Sequence, residues 1–221
     1  SESSPRTHAL LAEAFYDAGL PAGVLNFLIS APEDASAVTE ALIGHDVVRR
    51  VNFTGSTKVG RMIAQTCATH LKRCLLELGG KAPFIVLDDA DIDGAVNAAV
   101  FGAFLYQGQI CMSTERFVVD EAVADQFVSR FAERVRSLEV GVPATTPACV
   151  IGPMIGQGAV QRINHLLDDA IGKGADIVAG GLAENALMGP TLVDWVTREM
   201  SIYDEESFGP VATIGRVKGA E

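Results

Sequence analysis

Four short stretches hold the residues whose types and spacing could do chemistry. The first contains a thiol: Gln107-Gly108-Gln109-Ile110-Cys111-Met112, after a helical pattern and a glycine-containing turn. A cysteine attacks electrophiles as the thiolate, which it owes to a helix dipole, a cation or a base within reach. No histidine lies nearby in sequence, so nothing local argues for a Cys–His pair. The second is Leu76-Glu77-Leu78-Gly79-Gly80-Lys81. Glu77 there reads either as a strand-end charge facing water or as a general base whose pKa desolvation raises toward neutrality. The third is Phe53-Thr54-Gly55-Ser56-Thr57-Lys58-Val59-Gly60, where a strand pattern gives way to a helix. The free N–H groups of a helix start suit a pyrophosphate, and Gly55 would admit it closely, but the same spacing also makes an ordinary N-cap. No Gly-Lys-Ser/Thr follows, so it is not a Walker A loop. The fourth, Glu205-Glu206-Ser207-Phe208-Gly209-Pro210, could grip a ribose and lay an aromatic ring beside it, or simply cap a turn.

The elements around these stretches alternate. Helical spacing runs from Ser4-Pro5 through Leu10, Leu11, Ala14 and Phe15 to a stop at Gly19. An apolar strand-like run follows at 24–29, then a helix at 34–44, a strand at 50–53, a helix at 58–70 and a strand at 73–78. This order, with apolar strands, predicts a parallel sheet covered by helices, half of a nucleotide-binding α/β domain. Gly79-Gly80 marks a break where the chain could hinge. Beyond it the pattern predicts strands at 84–87, 117–119, 176–178 and 191–193, helices at 91–106, 122–138 and 157–173, and a last strand pattern shortly before the end.

Composition narrows the function classes. Apolar residues make up 48% and charged residues 20%, which excludes intrinsic disorder. Asp and Glu outnumber Lys and Arg by 28 to 17, and the resulting net charge of −11 repels nucleic acid and anionic membranes. No run reaches transmembrane length, the N-terminus is not a signal peptide, and no residue set reads as a metal site. The four cysteines lack Cys-x-x-Cys spacing and read as reduced thiols of a cytoplasmic protein, with Cys67, Cys74 and Cys149 as small buried residues. The chain starts on Ser1-Glu2 and ends at Glu221 as though cut from a larger design. Mean hydropathy is +0.26, and strands apolar on both faces predict self-association as a homo-oligomer.

Taken together and in order, the four motifs resemble the aldehyde dehydrogenase superfamily, over essentially the whole chain. The phrases AGLPAGVLN, VRRVNFTGSTKVGR and GQICMSTERFVVDE are most similar to its aryl-aldehyde branch, the salicylaldehyde, benzaldehyde and vanillin dehydrogenases. The resemblance implies an α/β fold with a partial Rossmann-like NAD-binding domain at 1–78 and a thiol-bearing catalytic domain at 79–221, incomplete at its C-terminus. It implies Cys111 as nucleophile and Glu77 as the base that activates the deacylating water. Gly55 and Ser56 would meet the pyrophosphate, Gly60 and Leu78 would shape that site, and Glu206 and Phe208 would hold the nicotinamide ribose. Glu2 would face the adenine ribose and favour NAD over NADP. Glu77 argues for a free carboxylic acid as product rather than an acyl group passed to coenzyme A or phosphate. Family members are about twice as long, and the part carrying their oxyanion-stabilising Asn is absent here. Many of them have Asn where this chain has Tyr106. A catalytically silent remnant that at most binds nucleotide therefore stands as the alternative to a working NAD-dependent dehydrogenase.

Overall fold

Helix α1 (Pro5–Asp17) starts at a proline whose missing N–H is no loss in a first turn, and α2 (Ala35–Gly44) follows a single 3-10 turn. Strand β1 (Arg50–Gly55) leads into α3 (Thr57–Thr69), and β2 (Arg73–Leu78) lies parallel to β1. The Ser56 hydroxyl caps α3 by accepting from the Val59 N–H at 3.4 Å. One face of α3, Gly60, Ile63 and Cys67, is buried, and Ile43 joins the last two in a small core over Val51, Phe53 and Leu76. These elements form one of two compact units, Ser1–Leu78; the other is Gly79–Glu221. The computed structural model describes residues 4–219.

One expectation for the first unit is corrected. The run 24–29 is not a strand, and Val24, Leu28 and Ile29 are exposed. An apolar run becomes a strand only where a neighbouring edge takes its N–H and C=O groups. The Leu10, Leu11 and Phe15 face of α1 is likewise exposed, and Ala12 is the buried residue of that helix.

The second unit is built on a five-stranded sheet in the order β3-β4-β7-β6-β5. Its strands are β3 (Ala82–Val86), β4 (Thr114–Asp120), β5 (Asp176–Ala179), β6 (Thr191–Asp194) and β7 (Val211–Val217). The first four in sheet order are parallel, and β5 joins the edge antiparallel. Helices α4 (Ile92–Phe104) and α5 (Glu121–Arg136) close one core, and α6 (Gln157–Gly172) with the short α7 (Ser201–Asp204) closes another. In α5, Phe127, Val128, Phe131, Ala132 and Val135 recur at helical spacing and are buried, while Asp120 caps the helix from the Ala122 N–H at 2.8 Å. Phe117 on β4 meets Phe84, Phe127 and Phe131 with ring centres 5.2–6.1 Å apart. No helix among the described residues is long and apolar enough to cross a membrane.

The helix predicted at 91–106 ends at Phe104. Tyr106 and Gln107 then take φ values of 52° and 57° and Gly108 takes 66°, which no right-handed helix accommodates.

Candidate active site

The second unit assembles its chemistry by topology. Strands β3, β4 and β7 are parallel neighbours, so the segments leading into them arrive at the same end of the sheet. Those segments are 79–81, 105–113 and 205–210, and they carry Gly79-Gly80-Lys81, the Cys111 turn and Glu206-Ser207-Phe208.

Cys111 sits in a turn closed by the Ser113 N–H on the Ile110 carbonyl at 3.0 Å. Its side chain is exposed, as is that of Met112. The left-handed residues before it cost roughly 1–2 kcal/mol each where they are not glycine. Two glutamines hold the loop against that cost. The Gln107 amide donates to the Pro153 carbonyl at 3.2 Å, and the Gln109 Oε1 accepts from the Ile155 N–H at 3.1 Å. Gly108 is required for space as well as for φ, because a Cβ there would press on the carbonyls of Ala103 and Gly209.

Glu206 is half-buried, and its Oε1 accepts from the Gly80 N–H at 3.2 Å. Burial raises its pKa, with the Gly80 bond working against the rise. A Cβ on Gly79 would overlap the Glu206 carboxylate, so only glycine leaves that side chain where it is. Phe208 holds a left-handed φ of 48°. Beneath this segment lies an ion pair, Lys81 Nζ to Glu115 Oε2 at 2.8 Å, with side chains only 5% and 3% exposed. The Glu115 carboxylate also accepts from the Ser207 N–H at 2.6 Å and the Phe208 N–H at 2.9 Å. Lys81 donates to the Ser207 hydroxyl at 2.9 Å, and Arg162 donates to the carbonyls of Glu206 and Ser207. Burial lowers the Lys81 pKa, and Glu115 opposes that.

In the first unit the candidate residues lie at the C-terminal ends of both strands, with Thr54 opposite Glu77 and Gly55 opposite Leu78. Glu77 is exposed in its unit. Gly60 in α3 lies against Leu78 so closely that a Cβ would come within 2.6 Å of the leucine Cδ2. Gly55 similarly leaves room for the Phe53 ring. Glu2 lies outside the described residues. Of the cysteines read as buried, Cys67 is, and burial raises its thiol pKa; Cys74 is exposed and Cys149 half-buried. Cys74 stands at the start of β2, where Arg73, Cys74 and Leu75 are all exposed. Glu115, Arg162 and Ser207 carry no role in the sequence motifs.

The sequence profile of the aldehyde dehydrogenase family matches residues 1–221. The chain belongs to the aldehyde dehydrogenase family. It is 59% identical to a salicylaldehyde dehydrogenase of Pseudomonas putida over 219 residues, 99% of this chain and 45% of that enzyme. A vanillin dehydrogenase of Pseudomonas sp. (strain HR199 / DSM 7063) is 56% identical over 221 residues, all of this chain and 46% of its own length. A crystal structure of a salicylaldehyde dehydrogenase from Pseudomonas putida G7, complexed with salicylaldehyde, superposes with a TM-score of 0.96 at 59% identity, covering 98% of this chain and 45% of the other. This chain thus spans a little under half the length of the curated aldehyde dehydrogenases it matches. The aldehyde dehydrogenase family uses NAD or NADP.

Proposed function

We propose that this chain carries the thiol chemistry of an NAD-dependent aldehyde dehydrogenase that oxidises an aromatic aldehyde, of the salicylaldehyde kind, to its carboxylic acid. The observation that carries the reading is an exposed cysteine on a turn tied down by two glutamines, in a chain with this family's motifs in order. The Cys111 thiolate attacks the aldehyde carbon, and the oxyanion that forms accepts a hydrogen bond from the Cys111 N–H. NAD, when bound, would supply the acceptor for the hydride of the resulting thiohemiacetal. Glu77 then takes a proton from water, the water attacks the thioester carbon, and the acid leaves as the thiolate is regenerated.

Each unit offers residues of the kinds such a dinucleotide needs. The start of α3 offers Gly55 and the Ser56 hydroxyl to a pyrophosphate, with Gly60 and Leu78 packed behind. Glu206 offers a carboxylate to the nicotinamide ribose, with Phe208 beside it, and Glu2 is assigned to the adenine ribose. On this reading 1–78 is the NAD-binding part and 79–221 the catalytic part of a cytoplasmic homo-oligomer. Exposed Leu10, Leu11, Phe15 and Leu71 support the association, and a strictly monomeric species in light scattering over a dilution series would remove it.

Rapid mixing with NAD and salicylaldehyde tests the mechanism by NADH absorbance. Cys111→Ala should give no NADH, and NADH at the wild-type rate would overturn the nucleophile. Glu77→Gln should keep a burst and slow the steady state by about 10²–10⁴. Equal loss of both phases would take the deacylating role from Glu77.

A further inference from the structure

Two charges are buried together where an uncharged pair would have cost less desolvation. Replacing buried ion pairs by well-packed apolar residues is often neutral or stabilising, so the Lys81–Glu115 pair is not accounted for by stability alone. What distinguishes it is the set of atoms it holds. Glu115 lies in β4, four residues after Cys111, on the strand face it shares with buried Phe117 and Val119. Its backbone carbonyl is fixed by the Thr213 hydroxyl at 2.9 Å, so the carboxylate projects from a strand clamped to its neighbour β7. Both carboxylate oxygens are then spent on the segment beside Glu206: one on the Phe208 N–H, the other on the Ser207 N–H and on Lys81. Lys81 returns a bond to the Ser207 hydroxyl. Phe208 sits at a φ that a phenylalanine adopts at a cost, and an acceptor under its N–H opposes relaxation to the extended region. Lys81 is also one residue from Gly80, whose N–H bonds the Glu206 carboxylate. The pair therefore ties together the two segments that set the position of Glu206.

We propose that Glu115, held by Lys81, is a positioning residue for the nicotinamide nucleotide: through the Ser207 and Phe208 N–H groups it fixes the backbone that aims Glu206 and Phe208 at the ribose. This rests on the reading of Glu206 and Phe208 given under Proposed function. A carboxylate is suited to the task because both its oxygens accept, and the Lys81 ammonium lies against one of them at 2.8 Å. An amide in its place would turn an N–H toward one of two backbone donors and leave it without an acceptor.

The test measures NAD binding by calorimetry and amide hydrogen exchange at 205–209 on the full chain and on Glu115→Gln. Thermal unfolding and the rate of Cys111 alkylation report whether the unit is intact. The expected result is NAD binding at least tenfold weaker and faster exchange confined to 205–209, with Cys111 alkylation within twofold of wild type. Unchanged NAD affinity despite faster local exchange would overturn the proposal. If Glu115→Gln unfolds the unit, the double variant Lys81→Met/Glu115→Leu decides, since it removes the charges without leaving one unpaired. Wild-type NAD affinity in that variant would overturn the positioning role, and weakened affinity in a folded protein supports it. If the wild type binds no NAD, the nucleotide reading of Glu206 falls and takes the positioning role with it. Exchange at 205–209 then reports only whether Glu115 orders the segment.

Discussion

Gly79→Ala separates the function of Glu206 from the stability of the unit that carries it. The φ of Gly79 is not in the left-handed region, so alanine meets no backbone obstacle. Its Cβ would land on the Glu206 carboxylate, and the nearest atoms are the far end of a flexible side chain. Glu206 must therefore swing away, losing the 3.2 Å bond from the Gly80 N–H. A hydrogen bond to a charged group contributes about 1.5–3 kcal/mol, and the displaced, already half-exposed carboxylate recovers part of that from water. Replacing glycine at a compatible site returns about 0.4–1 kcal/mol through the unfolded chain. The melting temperature should therefore fall by only a few degrees. Nucleotide binding should respond very differently. Hydrogen bonds to a charged group contribute about 1.5–3 kcal/mol, so displacing the carboxylate from the ribose hydroxyls should weaken NAD by roughly 10- to 150-fold. The assay is calorimetric titration of NAD on wild type, Gly79→Ala, Glu206→Ala and the double variant. If Gly79→Ala acts by moving Glu206, the double variant should bind no worse than Glu206→Ala alone. Additive losses, or NAD affinity in Gly79→Ala equal to wild type, would refute the reasoning.

Two other outcomes follow from the same geometry. Brief iodoacetamide treatment followed by peptide mapping should label Cys111 first and Cys67 last, because burial keeps the Cys67 thiol protonated at neutral pH, and preferential labelling of Cys67 would contradict the burial assignment. Because burial raises the Glu206 pKa in the folded unit, folding favours its protonated form: that stability contribution is present in full below the unfolded pKa and is lost as pH rises through the folded one. NAD affinity should run the opposite way, full above the raised pKa and falling below it, and an affinity–pH profile identical in Glu206→Gln would show that another group titrates.

The parts of the fold legible in the sequence are those that local pattern decides. Arg73–Leu78 reads as a strand from its leucines and forms one, and α5 reads as a helix because its apolar residues recur at helical spacing and bury against β4. The run 24–29 is more apolar still and fails because strand formation is a property of pairs, which no single stretch of sequence contains. The end of α4 falls short of the predicted one for a different reason. The apolar spacing continues past Phe104, while the turn is set by contacts from far along the chain, Pro153 on Gln107 and Ile155 on Gln109.

The Cys111 and Glu206 motifs are legible through their order and the family they resemble, since the Glu206 stretch alone reads as a capped turn. Glu115 has no role in that resemblance, and a β4 limited to 117–119 conceals it. With the strand confined to 117–119, Glu115 falls in a loop, where a carboxylate needs no explanation. With the strand starting at Thr114, the two-residue period places Glu115 on the inward face together with Phe117 and Val119. A charge at an inward strand position demands a partner, and Lys81 answers it from the residue just before β3, the strand that pairs with β4. The sequence signal was thus present as a register rather than as a motif. It became readable only once the start of β4 was known, and that start depends on the turn after Cys111 closing at Ser113. The geometry that exposes the thiol is in this way also the geometry that turns Glu115 inward beneath Ser207 and Phe208.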